Sequence, residues 1–69
     1  MLSVVIDYTQ DLKSGYWTAT APAYPQVVTQ GRTFAQTILN VRDALSLVLP
    51  ELPAEELNLI DGQISAASA

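Results

Sequence analysis

The amino-terminal half of the chain alternates apolar and polar side chains in short runs, as β-strands with one buried face do. The first run covers residues 2–9 and is rich in β-branched and aromatic residues, which favour strands. One face of this strand would carry Val4, Ile6 and Tyr8. The opposite face would carry Val5, Asp7 and Thr9. The pattern predicts that a strand opens the fold.

Turn-forming residues at 10–15 separate this strand from a second alternating run at 16–21, and together they predict a β-hairpin. Pro22 and Pro25 lack the N–H that a strand ladder needs, so they mark a short corner after the second strand. A third short run follows at 26–30. The first half of the chain is therefore predicted to form a three-stranded antiparallel sheet.

The spacing of apolar residues changes at Thr33 to three and four, which is typical of an amphipathic helix. The apolar stripe consists of Phe34, Ile38, Val41, Leu45 and Val48. Thr33 and Gln36 have the spacing of a reciprocal capping box, and Gly31 would ease the turn into the helix. Pro50 disfavours helical geometry at the residue before it. We therefore expect one main helix over residues 34–49.

The segment after the helix supports two interpretations. Pro53 followed by acidic residues is typical of a helix start. Residues 57–60, however, alternate weakly, as a strand would. Residues 53–64 are therefore predicted to form either a short helix or a short fourth strand, and the fold class is α+β.

The chain length predicts a single domain with a flexible end. Residues 65–69 are small and uncharged and are expected to fray, which leaves residues 1–64 as the domain. A chain of 69 residues buries only roughly 60% of its unfolded surface, so self-association as a homodimer is expected. Leu39 and Leu47 lie off the helical stripe and would contribute to a subunit contact or to a wider buried face.

Composition and charge indicate which classes of partner the chain can bind and where it is located. Seven acidic and three basic side chains give a net charge of −4, so the chain would repel the phosphates of nucleic acid and suit a basic protein. No apolar run approaches the roughly 20 residues of a membrane-spanning helix. The start of the chain has no basic region of a secretion signal, and cysteine is absent. We expect a cytoplasmic protein that binds neither nucleic acid nor membrane.

The candidate catalytic groups are carboxylates without a shared spacing. They are Asp7, Asp11, Asp43, Glu51, Glu55, Glu56 and Asp61. Histidine and cysteine are both absent, so neither a histidine-activated nucleophile nor a typical zinc site can be assembled. We therefore expect no enzyme activity, no cofactor and no metal site.

The alternation in the second strand divides its side chains into two sets. The set expected in the core consists of Trp17, Ala19 and Ala21. The set on the opposite face consists of Tyr16, Thr18 and Thr20. This second set is the candidate protein-binding surface, with a plain solvated sheet face as the alternative.

Several short motifs follow one another in a distinctive order within residues 3–49. They are the run from Trp17 through Ala19, Pro22 and Pro25 to Val27, then Gly31-Arg32-Thr33, then Asn40 and Ala44-Leu45. This order resembles the HicB-like antitoxin family, in which an aromatic residue, an alanine and a proline-containing turn lead into a Gly-x-Thr helix start. The chain departs from the family pattern at Gln26, Val27 and Ala35-Gln36-Thr37. These departures concern the partner surface more than the fold.

The resemblance implies a β-β-β-α core with a further strand, described as a degraded ribonuclease H-like arrangement without its catalytic carboxylates. It also implies that the chain binds and masks a HicA-type toxin, a small basic ribonuclease. Many family members carry an additional DNA-binding domain, for which the 20 residues after Leu49 are too few. The expectation is a stand-alone antitoxin-like domain. The alternative is an orphan self-associating module or small-ligand binder without a toxin.

Overall fold

The computed structural model describes residues 1–67, which form one mixed sheet of four strands with a helix on one face. The strands are β1 (Leu2–Asp11), β2 (Trp17–Ala21), β3 (Tyr24–Gly31) and β4 (Leu57–Ala67), and the helix α1 is Phe34–Val48. A short 3-10 helix, Ala54–Glu56, precedes β4. The strand order is β3-β2-β1-β4, with β4 parallel to β1 and the other neighbours antiparallel.

The α+β class is confirmed, and the predicted sheet was incomplete. The three antiparallel strands are present, but β4 adds to the free edge of β1 and makes the sheet mixed. The choice left open at 53–64 resolves as a 3-10 turn followed by a strand, so the strand alternative is correct and only its length of 11 residues exceeds the prediction. Residues 65–67, predicted as a flexible tail, form the end of β4. Residues 68–69 lie outside the described part of the chain.

The strand boundaries differ from the predicted ones in ways that the sheet explains. β1 runs to Asp11 rather than residue 9, because the chain on both sides of it supplies pairing partners. β2 begins at Trp17, one residue later than predicted. β3 begins at Tyr24 and includes Pro25, which is tolerated because β3 is an edge strand.

The start of α1 has one of the two hydrogen bonds of the predicted capping box. The Thr33 hydroxyl oxygen accepts the backbone N–H of Gln36 at 3.0 Å. The Gln36 side chain does not return to Thr33 as predicted, since its amide donates instead to the Asn40 side-chain oxygen at 3.0 Å. The helix ends at Val48, one residue before the predicted boundary, and the N–H of Leu49 closes it on the carbonyl of Leu45.

The core lies between α1 and one face of the sheet. Its buried apolar members are Val4, Ile6, Tyr8, Ala19, Ala21, Val27, Val41, Leu45 and Leu57. Ala19 and Ala21 are fully buried, and their small side chains let the helix approach β2. The stripe prediction is confirmed at Val41 and Leu45, while Leu39 and Leu47 are exposed.

An aromatic cluster fixes the first turn of α1 against the sheet. The Phe34 ring centroid lies 4.6 Å from that of Tyr8 and 5.0 Å from that of Trp17, with tilted and edge-on geometries that aromatic pairs favour. Gly31 lies so close to the helix that a Cβ there would be 2.8 Å from the Thr37 backbone nitrogen. Glycine at this position therefore permits the tight turn from β3 into α1.

The incomplete capping box makes a prediction for two single substitutions. Thr33→Ala removes the oxygen that accepts the Gln36 N–H, so the free energy of unfolding should fall by about 1 kcal/mol. Gln36→Ala removes only an exposed contact to Asn40 and should cost less than about 0.5 kcal/mol. Urea denaturation of the two variants measures both values. Equal losses would show that the reciprocal capping box forms after all.

Candidate functional site

The face of the sheet opposite α1 is uncovered in residues 1–67. We call it the open face and define it by residues from all four strands: Val5, Asp7, Thr9, Thr18, Thr20, Val28 and Ile60. Its three aliphatic side chains are 43–61% exposed. The solvent face of a sheet with one packed face commonly carries polar side chains. The exposed aliphatic side chains of the open face depart from that pattern, and exposed apolar patches are typical of protein contact sites.

The structure brings two of the three predicted partner-binding residues together on the open face. Thr20 lies between Asp7 of β1 and Val28 of β3, and it is exposed. Thr18 lies between Thr9 and Gln30 and is half-buried. The two threonines therefore occupy the middle of the sheet, where a docking partner would contact side chains from three strands.

Tyr16, the third predicted residue, lies apart from the threonines. It precedes β2 and lines a groove of about 470 Å³ beside the start of α1, which we call the Tyr16 groove. The other residues that line this groove are Gln30, Gly31, Arg32, Thr33, Gln36 and Asn40. The alternation pattern could not predict where the Tyr16 side chain lies. Tyr16 precedes the regular strand, so the alternation of side chains between the two faces of a sheet does not apply to it.

The residues that carried the family resemblance have structural roles. Trp17 is half-buried and Ala19 and Gly31 are buried on the helix side. Pro22 is exposed in the turn between β2 and β3. Pro25 is exposed on β3, and Thr33 and Gln36 lie at the first turn of α1 as described above.

Charge is distributed unevenly over the molecule. Five of the seven acidic residues lie in the stretch 43–61, which contains no lysine or arginine and which we call the acidic segment. They are Asp43, Glu51, Glu55, Glu56 and Asp61, and all are exposed. Asp7 is the one charged residue in the set that defines the open face, and its carboxylate accepts the backbone N–H of Gln63 at 2.8 Å. The open face is therefore nearly neutral. Asp61 pairs with Ile6 on the helix side of the sheet and Asp43 lies on α1, so these two acidic residues lie outside the open face.

The carboxylates remain scattered in the fold, as they are in the sequence. Within the part of the chain that the structure describes, no group of three or more acidic side chains is placed to hold a metal ion. No helix in residues 1–67 is long and apolar enough to cross a membrane. The absence of enzyme activity stays a prediction.

Tyr8 has an environment that the alternation pattern did not reveal. Its side chain is buried, and its hydroxyl has no hydrogen-bond partner within residues 1–67. Burial, and to a smaller extent the charge of Asp61, raise the pKa of Tyr8, while Arg42 acts in the opposite direction. Sequence reasoning placed Tyr8 on the buried face, but nothing local in the sequence indicated which charges would lie near its hydroxyl.

Comparison with known proteins gives no assignment. The chain matches no family model, and no curated protein or solved structure matches it significantly. The resemblance to HicB-like antitoxins therefore rests on the sequence motifs alone. The surfaces that bear on function are the open face and the acidic segment.

The raised pKa of Tyr8 predicts a specific loss of stability in alkaline solution. Because the folded pKa lies above the ordinary value of 10.0, the protonated phenol stabilises the fold below that pH, and the contribution is lost as pH rises through the folded pKa. The free energy of unfolding should therefore fall more steeply above pH 10 in the wild type than in Tyr8→Phe. Denaturation at several alkaline pH values measures this slope. Identical slopes for the two proteins would contradict the assignment to Tyr8.

Proposed function

We propose that this chain is a non-catalytic, antitoxin-like domain of HicB type that binds a small basic protein and masks its RNA-binding surface. The partner we propose is a HicA-type ribonuclease toxin in the cytoplasm. The observation that carries the proposal is that residues 1–67 combine a nearly neutral, uncovered sheet face with a separate segment of five acidic and no basic residues.

The order of elements supports the proposal. The chain runs β-β-β-α-β, with the last strand added to the same sheet. This is the order that the motif resemblance implies, a β-β-β-α core with a further strand. The motif residues also have the structural roles that such a fold needs, since Gly31 permits the close turn and Thr33 caps the helix.

The acidic segment and the open face have different roles in the proposed binding. The acidic segment attracts a basic protein over a distance of about 8–10 Å at physiological salt and so raises the rate of encounter. The open face supplies the contact, because hydroxyls at Thr18 and Thr20 and aliphatic side chains at Val5 and Val28 combine hydrogen-bonding and apolar area. The surface of a partner bound there would be covered by the open face across the width of the sheet.

A second candidate is an orphan module that associates with itself and has no toxin. The observation that favours it is the outer edge of β4, which no strand in residues 1–67 pairs with. The two candidates differ in one measurable result. An adjacent short reading frame that encodes a basic, histidine-containing protein should yield a stable heteromeric complex if the first is correct, and the second predicts no such complex.

A positive charge introduced on the open face tests the contact surface. Thr20→Arg places a cation in the middle of this face, so it should weaken binding of a basic toxin at least about tenfold through like-charge repulsion and lost contact. Ala35→Arg adds the same charge at an exposed site on α1 and should change affinity little. Titration calorimetry on co-purified partners measures both. Equal weakening by the two variants would show that only net charge matters and would remove the open face from the proposal.

Neutralising the acidic segment tests its separate role in encounter. The triple variant Glu51→Gln, Glu55→Gln and Glu56→Gln should slow association with the toxin and flatten its dependence on salt, while dissociation stays the same. Stopped-flow mixing at several salt concentrations separates the two rates. A faster dissociation with unchanged association would instead place these carboxylates inside the contact.

A further inference from the structure

The outer edge of β4 is unpaired in residues 1–67. β4 lies at the end of the strand order and bonds on one side only, to β1. A free edge presents a row of N–H and C=O groups that can pair with another strand. Natural proteins usually block such an edge with lysine, proline, a bulge or a covering helix, and the one bulge in the described part of β4 lies at residues 61–64. β4 contains neither lysine nor proline, and α1 packs mainly on β3 and β2.

The hydrogen bonds to β1 show which backbone groups of β4 point outward. The carbonyl of Ala67 accepts the N–H of Leu12 at 2.9 Å, and the N–H of Gln63 reaches the Asp7 carboxylate at 2.8 Å. Both residues therefore direct their backbone groups toward β1. Because alternate residues of a strand point these groups to opposite edges, Ile64 and Ala66 direct theirs outward.

A bulge separates this end of β4 from the rest of the strand. The register with β1 shifts between the pairs Ile6–Asp61 and Tyr8–Ile64. Gly62 lies at the shift, where a Cβ would be 2.7 Å from a methyl group of Val5. Beyond the bulge, Asp7 satisfies the N–H of Gln63, so β4 continues as an ordered strand to Ala67.

The residues beyond the bulge form an exposed and uncharged strip, residues 62–67, which we call the β4 edge strip. Ile64 is 52% exposed there. The chain as a whole carries a net charge of −4, so two copies repel one another at most orientations. At the edge strip they can approach without bringing charged side chains of that strip together. A basic partner, by contrast, gains nothing electrostatic from this strip and is drawn to the acidic segment.

We propose that the β4 edge strip pairs antiparallel with the same strip of a second copy of this chain. A two-fold axis near Ser65 would place Ile64 opposite the partner subunit's Ala66, so the outward groups of each copy meet. Ile64 and Ala66 share the face of the sheet on which Tyr8 lies, so the pairing also joins an exposed isoleucine to an exposed alanine. The two four-stranded sheets become one continuous sheet.

This dimer does not depend on the proposed toxin partner. The pairing uses backbone groups at the β4 edge, whereas toxin binding uses side chains of β2 and its neighbours on the open face. The size of the chain also favours it, since a domain of 69 residues leaves a large share of its apolar surface exposed unless a partner covers it. A failure of either proposal therefore leaves the other one standing.

Light scattering on the size-exclusion peak of the purified full chain tests the dimer. The wild type should have twice the 7.4 kDa mass of one chain. Ile64→Lys places two cations beside the two-fold axis, and Ile64→Pro removes an outward N–H, so both should shift the protein to the monomer mass. Val28→Lys adds the same charge at a comparably exposed site on the opposite edge strand and should remain a dimer. Circular dichroism checks that each variant is folded.

A monomeric wild type, or a dimer that Val28→Lys dissociates and the Ile64 variants do not, would overturn the proposal. Amide hydrogen exchange on the wild type decides the matter if the Ile64 variants fail to fold. In the dimer, the amides of Ile64 and Ala66 should exchange more slowly as the protein concentration is raised. Fast exchange at these two amides in a dimeric sample would place the interface elsewhere.

Discussion

A single helix must cover a sheet of four strands, and the rest of the structure depends on how it does so. A helix is roughly 10–12 Å across with its side chains, and strands are about 4.8 Å apart, so one helix covers about two strands. α1 lies over β2 and β3, where Ala19 and Ala21 leave room for it. Within residues 1–67, α1 leaves the outer edge of β4 uncovered, and no helix lies on the opposite face of the sheet.

This one-sided packing gives the chain three distinct surfaces. The open face is nearly neutral and partly aliphatic. The acidic segment carries most of the negative charge and runs from the second half of α1 to the bulge in β4. The β4 edge strip is uncharged and offers backbone groups rather than side chains. Their different chemistry means that a basic protein and a second copy of the chain would be drawn to different places.

The sequence predicted what local patterns determine. Alternation correctly placed Val4, Ile6 and Tyr8 on the buried face, and the spacing of three and four found α1 to within one residue at its carboxyl end. The sequence did not predict whether Leu57–Ala67 is a helix or a strand. Its strand conformation depends on pairing with β1, which lies more than 50 residues earlier in the sequence. Gln36 was misjudged since its side-chain amide can either accept the Thr33 N–H or donate to Asn40, and only the folded helix shows which hydrogen bond forms.

The candidate site was predictable to the same extent. Thr18 and Thr20 follow the period of two within β2 and were assigned to the correct face, whereas Tyr16 lies just outside the strand and takes a different direction. We propose that toxin binding uses the open face and that self-association uses the β4 edge strip, so the two surfaces are separate. Native mass spectrometry of the chain co-purified with its basic partner tests this most directly. Two copies of each protein are expected in the complex, and a one-to-one complex formed by a chain that is dimeric on its own would show that the partner and the second copy compete for one surface.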